Sequence, residues 1–110
     1  MADHIWTVGF LSALTNSAQT VKATQGGIGG YYIYNPDSAA AYVQFFDESG
    51  TITIGTTTPK MSIGVPAGAA AHIEFAHDIP FLNSIKVAAT TTATGLTAPG
   101  TSLVANIFYK

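Results

Sequence analysis

No window of this 110-residue chain holds apolar residues at a 3.6-residue period for three turns, and Thr, Gly and Pro interrupt every candidate helix. Short runs rich in Val, Ile, Tyr, Phe and Thr recur instead, separated by turn chemistry. This pattern predicts strands near residues 5–11, 18–24, 30–34, 40–46, 51–55, 61–65, 70–75, 84–90 and 102–109. The punctuation between them is specific. Asn35-Pro36-Asp37-Ser38 fits a type I turn, with Pro at its second position. Asp47-Glu48-Ser49-Gly50 and Pro66-Ala67-Gly68 read as further turns, and residues 94–100 as a longer loop. The run Gly26-Gly27-Ile28-Gly29-Gly30 marks a flexible connection or a close backbone approach. Eight or nine short strands so spaced leave three architectures open: a β-sandwich, a jelly roll or a small barrel. The Thr56–58 and Thr90–92 triplets echo each other, but their surroundings do not match over a repeat length.

The length suits one domain with a single core. With no cysteine, neither disulfides nor thiolate metal sites contribute. The start, MADHIWTVGFLSALTNSAQ, has no Lys or Arg, and Thr7, Gly9 and Ser12 break its apolar run. It resembles neither a signal peptide nor a membrane span, and synthesis in a cytoplasm is expected.

Charge narrows the function. Four Lys, no Arg and six acidic residues make 9% of the chain, against about 25% in an ordinary soluble domain. A folded monomer of this mass exposes about 5,800 Å², so each charge would serve about 580 Å². Cover by other chains is the simpler account of such a surface. A net charge of −2 without Arg lacks the basic footprint that nucleic-acid binding needs.

Aromatic residues are concentrated in Gly30 to Asp47, GYYIYNPDSAAAYVQFFD, which reads as two strands and a turn. Alternation puts Tyr31 and Ile33 on one face and Tyr32 and Tyr34 on the other. After the turn, Ala41, Val43 and Phe45 oppose Tyr42, Gln44 and Phe46. Read as a hairpin, the pair carries rings on both faces. The last strand does the same, with Leu103, Ala105, Ile107 and Tyr109 opposed to Val104, Asn106 and Phe108. A solvated antiparallel sheet has a polar outer face, so these strands need a second cover. Three covers compete: the chain's own loops or N-terminal segment (Trp6, Val8, Phe10), another subunit, or a sugar stacked on exposed Tyr rings. The last option lacks polar groups, since this stretch offers chiefly Gln44.

Catalytic signatures are scarce. In AHIEFAHD, residues 71–78, His72 and Glu74 share a strand face, and His77 with Asp78 could close a metal site after a bend. That set lacks a third histidine and a two-His strand spacing, so no metal or other cofactor is expected. No G-x-S-x-G elbow is present, and Gly26–Gly30 lacks the Lys-Ser/Thr and helix of a phosphate loop. An enzyme is not expected.

Three segments carry a resemblance: GYYIYNPDSAAAYVQFFD, GTTTPKMSIGVPAG and IKVAATTTATGLTAPGTSLVANIFYK. In order and spacing they resemble small β-rich virion proteins of tailed bacteriophages, of the capsid cement or decoration type. The resemblance runs from about Gly30 to Lys110. It divides the single domain into a body over 30–110 and an N-terminal segment over 1–29, an arm plus first strands. It implies a jelly-roll-like β-sandwich that binds the major capsid protein at capsomer junctions on the virion surface, commonly as a homotrimer. The residues expected at self-association or packing surfaces are Tyr32, Tyr34, Tyr42, Phe46, Phe108 and Tyr109. The alternative is a carbohydrate- or receptor-binding module of a virion fibre or tail tip, and the third reading is a metal-dependent β-barrel enzyme.

Overall fold

The computed structural model describes residues 5–110. These contain no helix and eight strands: β1 (Thr7–Leu14), β2 (Gln19–Lys22), β3 (Gly26–Tyr34), β4 (Ala41–Phe46), β5 (Met61–Val65), β6 (Ala70–Phe81), β7 (Ile85–Thr90) and β8 (Leu103–Tyr109). They form two four-stranded antiparallel sheets. Sheet A runs β1-β8-β3-β6 and sheet B runs β2-β7-β4-β5.

The pairing has one rule. β1 lies beside β8, β2 beside β7, β3 beside β6 and β4 beside β5. The first four strands therefore lie antiparallel along the last four, and this long double ribbon is rolled so that alternate pairs fall in opposite sheets. That is the jelly-roll arrangement of eight strands and two Greek keys.

Alternation decides what lies between the sheets. Ile28, Tyr31 and Ile33 of β3 and Leu103, Ala105 and Ile107 of β8 face Ala41, Val43 and Phe45 of β4 and Ile85, Val87 and Ala89 of β7. The Tyr31 and Phe45 rings meet across the core with centroids 6.0 Å apart, and Phe75 stands edge-on to Tyr31 at 6.2 Å. Burial pushes the Tyr31 phenol above its ordinary pKa.

The stretch from Gly30 to Asp47 is not a hairpin. β3 belongs to sheet A and β4 to sheet B, and the two do not pair. Residues 35–40 form an arch between the sheets, fixed by the buried Asn35. Its Nδ2 donates to the carbonyls of Ala39, Val65 and Pro66 at 2.9, 3.1 and 3.3 Å. Its Oδ1 accepts from the Asp37 N–H, and its own N–H donates to Ala69 O. The Asn35 side chain makes an Asx turn with the Asp37 N–H, and the tetrapeptide expected to form a type I turn serves a crossing between layers.

Two other expectations change. Residues 51–55 are not a strand. The N–H groups of Thr56 and Thr57 donate to Thr53 O, the Thr53 N–H donates to Thr57 Oγ1, and Gly55 turns the chain at φ 88°. Conversely, the Gly-rich run is strand: β3 starts at Gly26 and bulges between Ile28 and Gly30 in both of its pairings. A methyl at Gly29 would overlap the Trp6 ring, so the glycines mark close approach. β3 crosses the residue-30 boundary, and before it β1 and β2 supply one edge to each sheet.

Candidate interaction surface

Each sheet also has an outer face. On sheet B it carries Tyr42, Gln44 and Phe46 of β4, which pair with Thr90, Ala88 and Lys86 of β7. The chain covers this face itself. Gln44 Nε2 donates to Thr90 Oγ1 at 2.7 Å and to Gly95 O at 3.1 Å, and Ser62 Oγ donates to Ala93 O at 2.8 Å. Asn16 Nδ2 binds Leu96 O, and Lys86 Nζ binds Gly50 O. These bonds hold the 91–101 and 47–60 loops over the sheet, leaving Gln44 and Phe46 fully buried. Tyr42 is half-buried with its ring over Gly64, where a Cβ would come within 3.1 Å.

A carboxylate ties down the start of the 47–60 loop. Asp47 accepts from the backbone N–H groups of Leu82, Asn83 and Ser84 at 2.8, 2.7 and 3.3 Å, and Ser84 Oγ donates to Glu48 O. Burial works to raise the Asp47 carboxyl. The three N–H donors and the charge of Lys60 outweigh it and hold the pKa below its ordinary value.

Among the described residues, no loop is held over the outer face of sheet A in that way. Pairing places the residues in rows: Phe10, Asn106, Tyr32 and His72 across the four strands, with Val8, Phe108, Gly30 and Glu74 beside them. Val104, Tyr34 and Ala70 form a third row. Phe10 is 61% exposed, Val8 55%, Tyr32 45% and Tyr34 41%. The Tyr32 ring leans on His72 with centroids 5.6 Å apart. The polar side chains of these rows are Asn106, His72, Glu74 and the two Tyr hydroxyls.

The residues expected at interfaces therefore divide. Tyr32, Tyr34 and Phe108 share the outer face of sheet A, with Phe108 half-buried. Tyr109 pairs with Thr7 and Ile28 and packs against the core. Tyr42 lies on the other sheet. Phe46 is an internal packing residue and presents no surface to another chain. Val8 and Phe10 stand outside the expected set, where they count as cover. Their own alternation was the available signal, since two apolar residues two apart on an edge strand share one face.

His72 and Glu74 do share a face, both exposed. Asp78 is engaged elsewhere, in an ion pair with Lys110 at 3.2 Å. Among the described residues no group of three or more His, Asp or Glu assembles into a metal-holding cluster.

An array of rings with few charges has the composition found at the cores of protein interfaces. Four strands about 4.8 Å apart and five residues at about 3.3 Å each make a face of about 320 Å². A stable interface takes about 800 Å² per partner, so one such face alone makes a weak contact. Comparisons with family models, curated proteins and solved structures return no match.

Proposed function

We propose that the chain is a virion structural protein of the capsid cement type, acting through the outer face of sheet A. The observation that carries this reading is the inequality of the two outer faces: one is sealed by the chain's own loops, the other left as an aromatic surface. Ten charges over 5611 Å² of accessible surface fit a protein that spends its working life covered. The jelly roll is an architecture that viral shells use, in agreement with the resemblance of residues 30–110 to phage decoration proteins. In this reading the chain self-associates as a homotrimer on the capsid surface and contacts the major capsid protein. A lattice of copies multiplies contacts that are individually weak.

The test is co-sedimentation with capsids stripped of accessory proteins, alongside the solution mass. Saturable binding lost in the Phe10→Glu/Tyr32→Glu double variant supports the proposal. Capsid binding indifferent to those changes, or none at all by a protein that stays monomeric, overturns it.

One observation favours the second reading, a carbohydrate-binding module. Folding places Asn106, His72 and Glu74 beside the Tyr32 ring, supplying polar partners that the 30–47 stretch lacks. Tyr32-dependent binding on a glycan array, with no capsid association, would favour that module.

A further inference from the structure

The two sheets have four edge strands: β1 and β6 in sheet A, β2 and β5 in sheet B. An open edge is a template for pairing with another chain, and proteins blunt it with short length, charge or proline. Three of the four are blunted. β2 is four residues long and ends on Lys22. β5 is five residues long, with Pro59 and Lys60 before it and Pro66 after. β6 is long but contains Glu74, Asp78 and Pro80. β1, TVGFLSAL, has eight residues and neither a charge nor a proline.

We infer that β1 is a self-pairing edge, joining antiparallel to β1 of a second copy about a two-fold axis at Gly9. The register follows from the strand. β1 pairs regularly with β8 from Thr7 to Leu11, and the register then shifts before Leu14. Gly9 is the midpoint of that regular stretch. Centring on it sets Val8 opposite Phe10 of the second copy, and Thr7 opposite Leu11. Each pair lies on one face of the sheet, as antiparallel pairing requires.

A second copy is the occupant this strand fits. The contact is isologous, needing one self-complementary patch. No charge in β1 meets its like across the axis. The two exposed large apolar side chains of the strand, Val8 and Phe10, cover one another twice. The product is an eight-stranded sheet whose outer faces run on as one aromatic surface. That doubles the face from about 320 to about 640 Å², close to the area a stable interface needs. The inference goes beyond the cement reading, because it needs only a second copy. With a threefold contact elsewhere it gives a hexamer, and alone a dimer.

The chain has no cysteine, so cross-linking is clean. Val8→Cys and Phe10→Cys variants are oxidised with oxidised glutathione, separately and mixed, and run on a non-reducing gel. Directly opposed positions lie about 4.5–5.5 Å apart at Cβ, within reach of a disulfide after small adjustment, whereas diagonal positions lie about 7–8 Å apart. The mixture should give a covalent dimer and each variant alone should not. In parallel, Phe10→Lys should keep its far-ultraviolet circular dichroism and weaken association about tenfold or more, the equivalent of about 1.4 kcal/mol. No dimer in the mixture, equal dimer from the single variants, or association unchanged in Phe10→Lys would overturn the inference.

Discussion

Phe46 and Tyr32 both stand outside the core cluster, Phe46 on β4 of sheet B and Tyr32 on β3 of sheet A, yet Phe46 is fully buried and Tyr32 is 45% exposed. The difference lies in the connections. The segments after β4 and β7 are long and Thr-rich, and they return across sheet B, where Gln44, Ser62, Lys86 and Asn16 hold them by their carbonyls. No loop of the described residues is held over the Tyr32 face in that way. An outward ring in a sandwich is thus a packing residue or a contact residue according to what the loops do, and strand alternation alone does not distinguish the two.

The largest expected effect lies on the covered side. Phe46→Ala empties a filled site and should cost about 3–5 kcal/mol in urea unfolding, whereas Tyr32→Ala should stay within about 1 kcal/mol. Equal losses at the two positions would erase the distinction between the faces.

Next comes the carboxylate that anchors the covering loop. Asp47→Ala leaves three backbone N–H groups without their acceptor and should cost about 1.5–3 kcal/mol. The sign of the pH dependence follows from the lowered pKa. Asp47 contributes its full stability above its unfolded pKa of about 3.9, and loses it as pH falls through the lower folded value. Wild type should therefore lose more stability than Asp47→Ala between neutral pH and the acid limb. Parallel curves would show the bonds to be unimportant.

A smaller change probes the approach of the N-terminal segment to β3. Gly29→Ala places a methyl in the space of the Trp6 ring and should cost about 1–3 kcal/mol. Trp6 is the chain's one tryptophan, so its fluorescence should shift to the red as the ring is displaced. An unshifted spectrum would mean that the ring does not sit on β3.

The smallest effect on stability belongs to the exposed edge. Phe10→Ser should change unfolding by less than about 0.5 kcal/mol, as surface substitutions do, while weakening association. A large stability loss without any change in association would make Phe10 an internal packing residue and remove it from the contact surface.

Much of the fold was legible in the alternation. Ala41, Val43 and Phe45, and likewise Leu103, Ala105 and Ile107, fall on one face by sequence and line the core together. The arch was not legible, because Asn-Pro-Asp-Ser chemistry serves a hairpin or a crossing equally well. What decides is the set of carbonyls that meet the Asn35 amide, and two of these lie some thirty residues away at Val65 and Pro66. The 51–55 run misled for a related reason. TITIG has strand composition, but threonine and glycine serve a turn equally well: Thr53 O accepts from the Thr56 and Thr57 N–H groups, Thr57 Oγ1 accepts from the Thr53 N–H, and Gly55 turns the chain. At the surface, the rings themselves were readable, and the Tyr32–Tyr34–Phe108 grouping follows from two alternations. That β8 lies beside β3, and that Phe10 joins the same row, depended on long-range pairing that no local pattern encodes.

The outer face of sheet A and its β1 edge are proposed as contact surfaces between chains. Sedimentation equilibrium of the unmodified protein over a wide concentration range separates contact surfaces from inert ones. The mass should rise with concentration from 11.4 kDa toward a small integral multiple, with the rise in Phe10→Lys shifted to higher concentration. A mass of 11.4 kDa at every concentration would mean that neither surface joins two copies.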